Sequence, residues 1–184
     1  MLRLQIPKQE FWDPIKEKFI TISEVTVELE HSLYTVSLWE SKWHIPFHDD
    51  RNEKTFEQNI DYIRCMCQTP NVDPAVFNYI TEENAKSITD YISDSATATW
   101  FNDNTKRSGK REIITAEIIY YWMTAYNLPE SYQHWHLNKL MTLLRVCAEK
   151  NNPDSAKKKK ATGQLAAQRR ALNAARRKKF NTRG

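Results

Sequence analysis

Two alternation patterns divide this chain. At the start, Leu2, Leu4 and Ile6 alternate with polar residues, as do Val25, Val27 and Leu29, and residues 19–22 are rich in β-formers. Between them PKQEFWDP carries Pro7 and Pro14, which fit a turn or edge better than a continuous strand. Residues 1–28 are therefore expected to form a small element of two or three strands. An isolated hairpin is marginal in water, so this element must pack on a helix or pair with a neighbouring subunit.

Periods of three and four follow. Leu29, Leu33, Val36, Trp39 and Trp43 share one helical face, which Pro46 ends. Phe56, Ile60, Ile63 and Cys67 form the next stripe, with Thr55 as its N-cap. Asp73 before Pro74 opens a further helix, and Thr81 with Glu82 and Glu83 opens another, whose Ile88 and Ile92 face inward beside Tyr91. Ile114, Ile118, Tyr121, Trp122 and Ala125 make the most apolar helix, placed at the centre of the core. After Pro129, the residues Tyr132, His136, Leu140, Leu143, Leu144 and Cys147 carry the last long stripe. The expected fold is mainly α: a multi-helix globular domain over residues 29–151, preceded by the small β element and followed by a basic tail over residues 152–184.

Charge changes this picture at the C-terminus. Of the 27 Lys and Arg, eleven lie in residues 156–184, a stretch with no Asp or Glu. The preceding residues then hold 16 basic against all 23 acidic side chains, a formal charge of −7 ahead of +11. An acidic body repels phosphate, so only the tail is expected to meet nucleic acid. Its cations are Lys157, Lys158, Lys159, Lys160, Arg169, Arg170, Arg176, Arg177, Lys178 and Lys179, joined by Arg183. Lys157 to Lys160 repel one another in any compact state. Residues 164–179 are good helix formers with only Leu165 and Leu172 to bury, which predicts nascent helix until something binds.

Candidate chemistry is sparse. The only glycines are Gly109, Gly163 and Gly184, so the first 108 residues cannot supply a glycine-rich phosphate loop. Cys65 and Cys67, and His134 and His136, are spaced two apart, which on a helix points them about 200° apart and away from a shared ion. No nucleophile elbow or paired-carboxylate motif occurs, and Cys65 has Arg64 but no histidine on its own helix. Neither catalysis, metal nor cofactor is expected. The three cysteines, the absence of a signal-peptide pattern and the shortness of the longest apolar run, IIYYWM at residues 118–123, fit a reduced cytosolic setting without a membrane span.

Six tryptophans are the remaining anomaly. Most are expected in the core. Trp100 and Phe101 differ, because ATWFNDN adjoins the polar loop of residues 102–111, where adjacent aromatics suit a recognition surface. Trp39 and Trp43 are further contact candidates, with a core role as the alternative.

The strings LEHSLYTVSLWESKWHIPF, DYIRCM, ATWF, REIITAEIIYYWM, WHLNKLMTLLRVC and RALNAARR form an ordered series over roughly residues 28–184. This series resembles the tail assembly chaperones of long-tailed bacteriophages with flexible tails. The resemblance implies a small, largely helical, non-enzymatic protein that coats the helical tape-measure protein and keeps its apolar stripes from aggregating. It further implies delivery of the client to tail-tube protein subunits in the host bacterial cytoplasm and absence from the mature virion. Further partners to consider are a second copy of this chain, as a homo-oligomer, and a longer frameshifted form of it. Such proteins are often made in two forms, the longer by ribosomal frameshift, and an A-rich stretch encoding Lys157 to Lys160 would suit slippage. The alternative from another class is a phage structural or packaging-associated protein that binds nucleic acid through its basic tail.

Overall fold

The computed structural model describes residues 1–13, 17–49, 51, 53–99, 101, 113–151, 170 and 171. The fold is mainly α with a small N-terminal β element, as the periodicity predicts. Met1–Leu144 forms one compact unit and Arg145–Gly184 a second, of which residues 145–151, 170 and 171 are described. Among the described residues no helix is long and apolar enough to cross a membrane.

The β element has four strands, where two or three were expected: β1 (Leu2–Ile6), β2 (Gln9–Asp13), β3 (Lys18–Ile22) and β4 (Val25–Leu29). β1 pairs antiparallel with β4, and β2 with β3. The pairings run from Leu2 opposite Leu29 to Ile6 opposite Val25, then from Gln9 opposite Ile22 to Asp13 opposite Lys18. Both ladders keep one register, so they are two stretches of a single antiparallel ribbon. Pro7 falls in the gap between them, where its missing N–H removes no ladder bond. The QEFWD stretch was expected as turn or edge, yet it forms a full strand because that proline flanks it instead of interrupting it. In the inner ladder Leu4, Ile6, Val27 and Leu29 are buried while Arg3, Gln5, Thr26 and Glu28 face out, and β1 packs against a helix as the element required.

The N-caps are local and legible. α1 (Leu33–Trp43) starts from a reciprocal pair, Ser32 accepting from the Thr35 amide and Thr35 from the Ser32 amide. It ends at His44, whose left-handed φ of 56° closes the last turn two residues before Pro46. α2 (Phe56–Met66) repeats that pairing with Thr55 and Gln58. Asp73 caps the 3₁₀ turn Pro74–Tyr79, and Thr81 caps α3 (Glu82–Ser93), whose Glu82 and Glu83 sit at the positive end of its dipole. α4 spans Ala116–Ala125, a second 3₁₀ turn spans Glu130–His134, and α5 runs over Leu137–Asn151.

The core joins the inner ribbon to Leu33, Val36 and Trp39 of α1, Ile60, Tyr62 and Met66 of α2, Ile88 of α3, Ile119 and Met123 of α4, and Leu137, Leu140 and Leu144 of α5. Two expected stripes shift. Phe56 stands in solvent instead of opening the α2 stripe. In α4 the buried positions are Ala116, Ile119 and Met123, while Tyr121 is 69% exposed, Ala125 is exposed, and Ile118 and Trp122 are only half-buried. AEIIYYWMTA is apolar over most of its surface, broken only by Glu117 and Thr124, so its own periodicity constrains the phase weakly.

Candidate protein-binding surface

The sequence-derived contact residues do not converge. Trp39 is fully buried, and its Nε1 donates to the Gln58 carbonyl at 2.9 Å. Its ring meets Phe47 edge-on at 5.3 Å and Tyr62 at 6.5 Å, so Trp39 is corrected from contact candidate to core residue. Trp43 is half-buried, with Nε1 donating to Asp61 Oδ2 at 2.9 Å and Lys42 Nζ over its ring. Phe101 is half-buried, whereas Trp100 and the loop of residues 102–111 lie outside the described residues. In the tail only Arg170 and Ala171 are described, both helical and exposed, and the other candidate cations lie outside the described residues.

Other large apolar side chains stand in water. On the outer ladder Trp12 and Phe19 pair across the strands with ring centroids 5.1 Å apart, at 54% and 68% exposure. Strict alternation would put Trp12 in phase with the buried Leu4 and Ile6. The ribbon instead presents its opposite face to the body beyond Pro7: Gln9 Nε2 donates to the Tyr79 carbonyl at 2.9 Å, and Ile22 packs on the core. The aromatic pair is thereby turned outward. Tyr34 and Leu38 project from α1 and Tyr121 from α4.

The α1–α4 packing rests on a buried carboxylate. Glu40 Oε1 accepts from the Phe47 amide at 2.6 Å, and Oε2 accepts from the Ala116 amide at 2.7 Å. Thr115 makes no side-chain cap on α4, so Glu40 serves as that helix's cap from 76 residues away. Burial pushes the Glu40 carboxyl above its ordinary range, and the two amide donors pull it back. The tether fixes the start of α4 beside α1.

A second buried polar group ties the middle of the body together. The segment from Glu28 to Ser32 bonds to α2 through Glu30 N and the Met66 carbonyl at 2.9 Å, and to α5 through the His31 carbonyl and Leu137 N at 2.8 Å. His31 Nδ1 meets Tyr62 Oη at 2.5 Å, and its ring lies 5.3 Å from that of His136. His136 Nε2 faces the Tyr91 carbonyl at 3.0 Å and therefore carries the proton. Tyr91 Oη in turn donates to Glu30 Oε1 at 2.7 Å. His134, two residues before His136, is exposed against Tyr34, so the pair diverges. Among the described residues no three His, Cys, Asp or Glu side chains gather as metal ligands. Burial, then Asp61, holds the Cys65 thiol above its usual range, the opposite of nucleophile activation.

His31 makes stability pH-dependent. Burial, then His136 and His48, lowers its pKa from 6.5 to about 3. Between those values the unfolded chain binds the proton and the folded chain does not, so stability falls as pH falls. Against the non-titrating His31→Gln variant, the wild type should lose an extra ~1.4 kcal/mol per pH unit from about pH 6 to about pH 4 in urea titrations. Parallel pH curves for the two proteins would remove His31 as the cause.

Compared with protein-family models, with curated proteins and with solved structures, the chain matches none.

Proposed function

We propose that this chain is a tail assembly chaperone of a long-tailed bacteriophage, which holds the helical tape-measure protein soluble by surface contact and without catalysis. The observation that carries the reading is apolar surface the fold does not need. Trp12 and Phe19 stand in water on the outer ribbon, and Tyr34, Leu38 and Tyr121 stand in water on α1 and α4, helices that also contribute to the core. Apolar side chains grouped in solvent mark sites that another surface covers. An amphipathic client helix buries its stripe on such a face, and many copies along one long client add avidity without new contacts. The ordered series of sequence strings supports the same reading, under which the work is done in the host cytoplasm before the particle is complete.

The test is aggregation. A tape-measure segment diluted from denaturant should scatter light alone and stay clear with a molar excess of this protein. Scattering that is unchanged by the protein would remove the chaperone reading. If the protein instead binds duplex DNA, with an affinity that falls steeply with salt and is lost on deleting residues 157–184, the nucleic-acid reading takes its place.

A further inference from the structure

Resting on the helix-binding reading above, we propose that the client-facing site is the seam between α1 and α4, and that its occupant is an amphipathic helix whose apolar stripe is flanked by Lys and Arg. The seam has apolar walls. Tyr34 and Leu38 lie one turn apart on the outer side of α1, and Tyr121 lies on the outer side of α4. Tyr120 forms the floor between them: it is half-buried, its Oη donates to Gln133 Oε1 at 2.8 Å, and it lies within reach of Ser37 and Tyr34. At the other end Ser41 of α1 and Glu117 of α4 line one open depression. The two helices are held side by side by the Glu40–Ala116 tether, so the seam does not have to be assembled on binding.

The rim chooses the partner. Glu117 and Glu130 flank Tyr120, are exposed, and make no ion pair among the described residues. Lys42, the cation in the last turn of α1, is turned to Asp61 of α2 at 2.5 Å. The seam is therefore an apolar strip beside two exposed carboxylates, of which Glu130 accepts from Gln133 Nε2 at 3.5 Å and neither is taken up by a cation among the described residues, on a body of formal charge −7. A helix with acidic flanks would meet like charge here, whereas one with basic flanks gains pairs that orient it and speed its encounter. Exposed pairs of this kind add little affinity individually, so the aromatic strip supplies the binding and the carboxylates supply the selection.

Two synthetic amphipathic peptides with the same leucine stripe, one flanked by Lys and Arg and the other by Glu, provide the probe, read by fluorescence anisotropy at low and physiological salt. The intact chain should bind the basic peptide and discriminate against the acidic one, with discrimination fading as salt rises. Tyr34→Ser with Tyr121→Ser should weaken binding at least about tenfold while leaving the thermal melt in place, because both side chains are exposed. Glu117→Lys with Glu130→Lys should reverse the peptide preference. Equal binding of the two peptides, or a charge reversal without effect, would overturn the proposal. Dimers in sedimentation that dissolve in the tyrosine variant, without peptide binding, would also overturn it by making the seam a contact between copies.

The parent reading fails separately. If the wild type and the tyrosine variant keep the tape-measure segment equally soluble, the seam is wrong and the chaperone reading stands. If the wild type binds the basic peptide yet leaves the segment to aggregate, the seam stands and the chaperone reading falls.

Discussion

Replacing Trp39 with Ala should lower stability by about 3–5 kcal/mol and Tm by roughly 10 °C or more, read by circular dichroism melts. The indole is fully buried among Phe47, Tyr62 and Trp43, so truncation leaves a cavity that the neighbouring rings fill only in part. It also strands the Gln58 carbonyl, which accepts from Nε1. Trp39→Phe should cost less, since it keeps most of the volume and loses mainly that hydrogen bond. A melt unchanged by Trp39→Ala would return this residue to the surface and undo the packing described for α1 and α2.

Glu40→Ala is expected to cost about 2–4 kcal/mol for a different reason. It leaves two amides, Phe47 N and Ala116 N, without their acceptor, and one of them is at the N-terminus of α4. A carboxylate there also answers the positive end of the helix dipole. Glu40→Gln should recover only part of the loss, because the side-chain amide offers one acceptor to two donors. The sign of the pH effect is opposite to that of His31. With its pKa raised, folded Glu40 holds its proton to higher pH than the unfolded chain, so its contribution declines as pH rises above the ordinary value of 4.5. Loss of amide-exchange protection in the first turn of α4 alone, with the global melt intact, would show that the tether is local and not part of the cooperative core.

Which features could be read from sequence follows from their range. Thr55, Asp73 and Thr81 are read as helix starts because a cap acts within three residues, and each accepts the amide hydrogen bond that role requires. The inner ribbon is legible for the same reason, since alternation of Leu4 with Gln5 and Val27 with Glu28 directly records one buried face. The phase of α4 is not, because Ile118, Ile119, Tyr121, Trp122 and Met123 spread apolar groups over most of the helix surface, and which of them is buried is set by packing against elements distant in sequence. Trp12 is misplaced by simple alternation because the ribbon changes the face it presents to the body beyond Pro7, an event that period-two patterning does not encode. Trp39 and Trp43 share a stripe in sequence, yet one is core and the other is held at the edge by Asp61, a difference set by packing against α2.

The same contrast explains the site. Aromatic residues next to a polar loop pointed to Trp100 and Phe101, whereas Tyr34, Leu38 and Tyr121 sit inside helices that also carry core positions. Only the observed phase of each helix shows which of its apolar residues are left in solvent.

The most direct measurement is affinity purification of this chain co-expressed with a tape-measure protein encoded alongside it, from the soluble fraction at physiological salt. The tape-measure protein should be soluble and co-elute when this chain is present, and be found in the pellet when it is absent. A tape-measure protein that pellets in both cases, or that stays soluble in both and elutes alone, would contradict the chaperone reading.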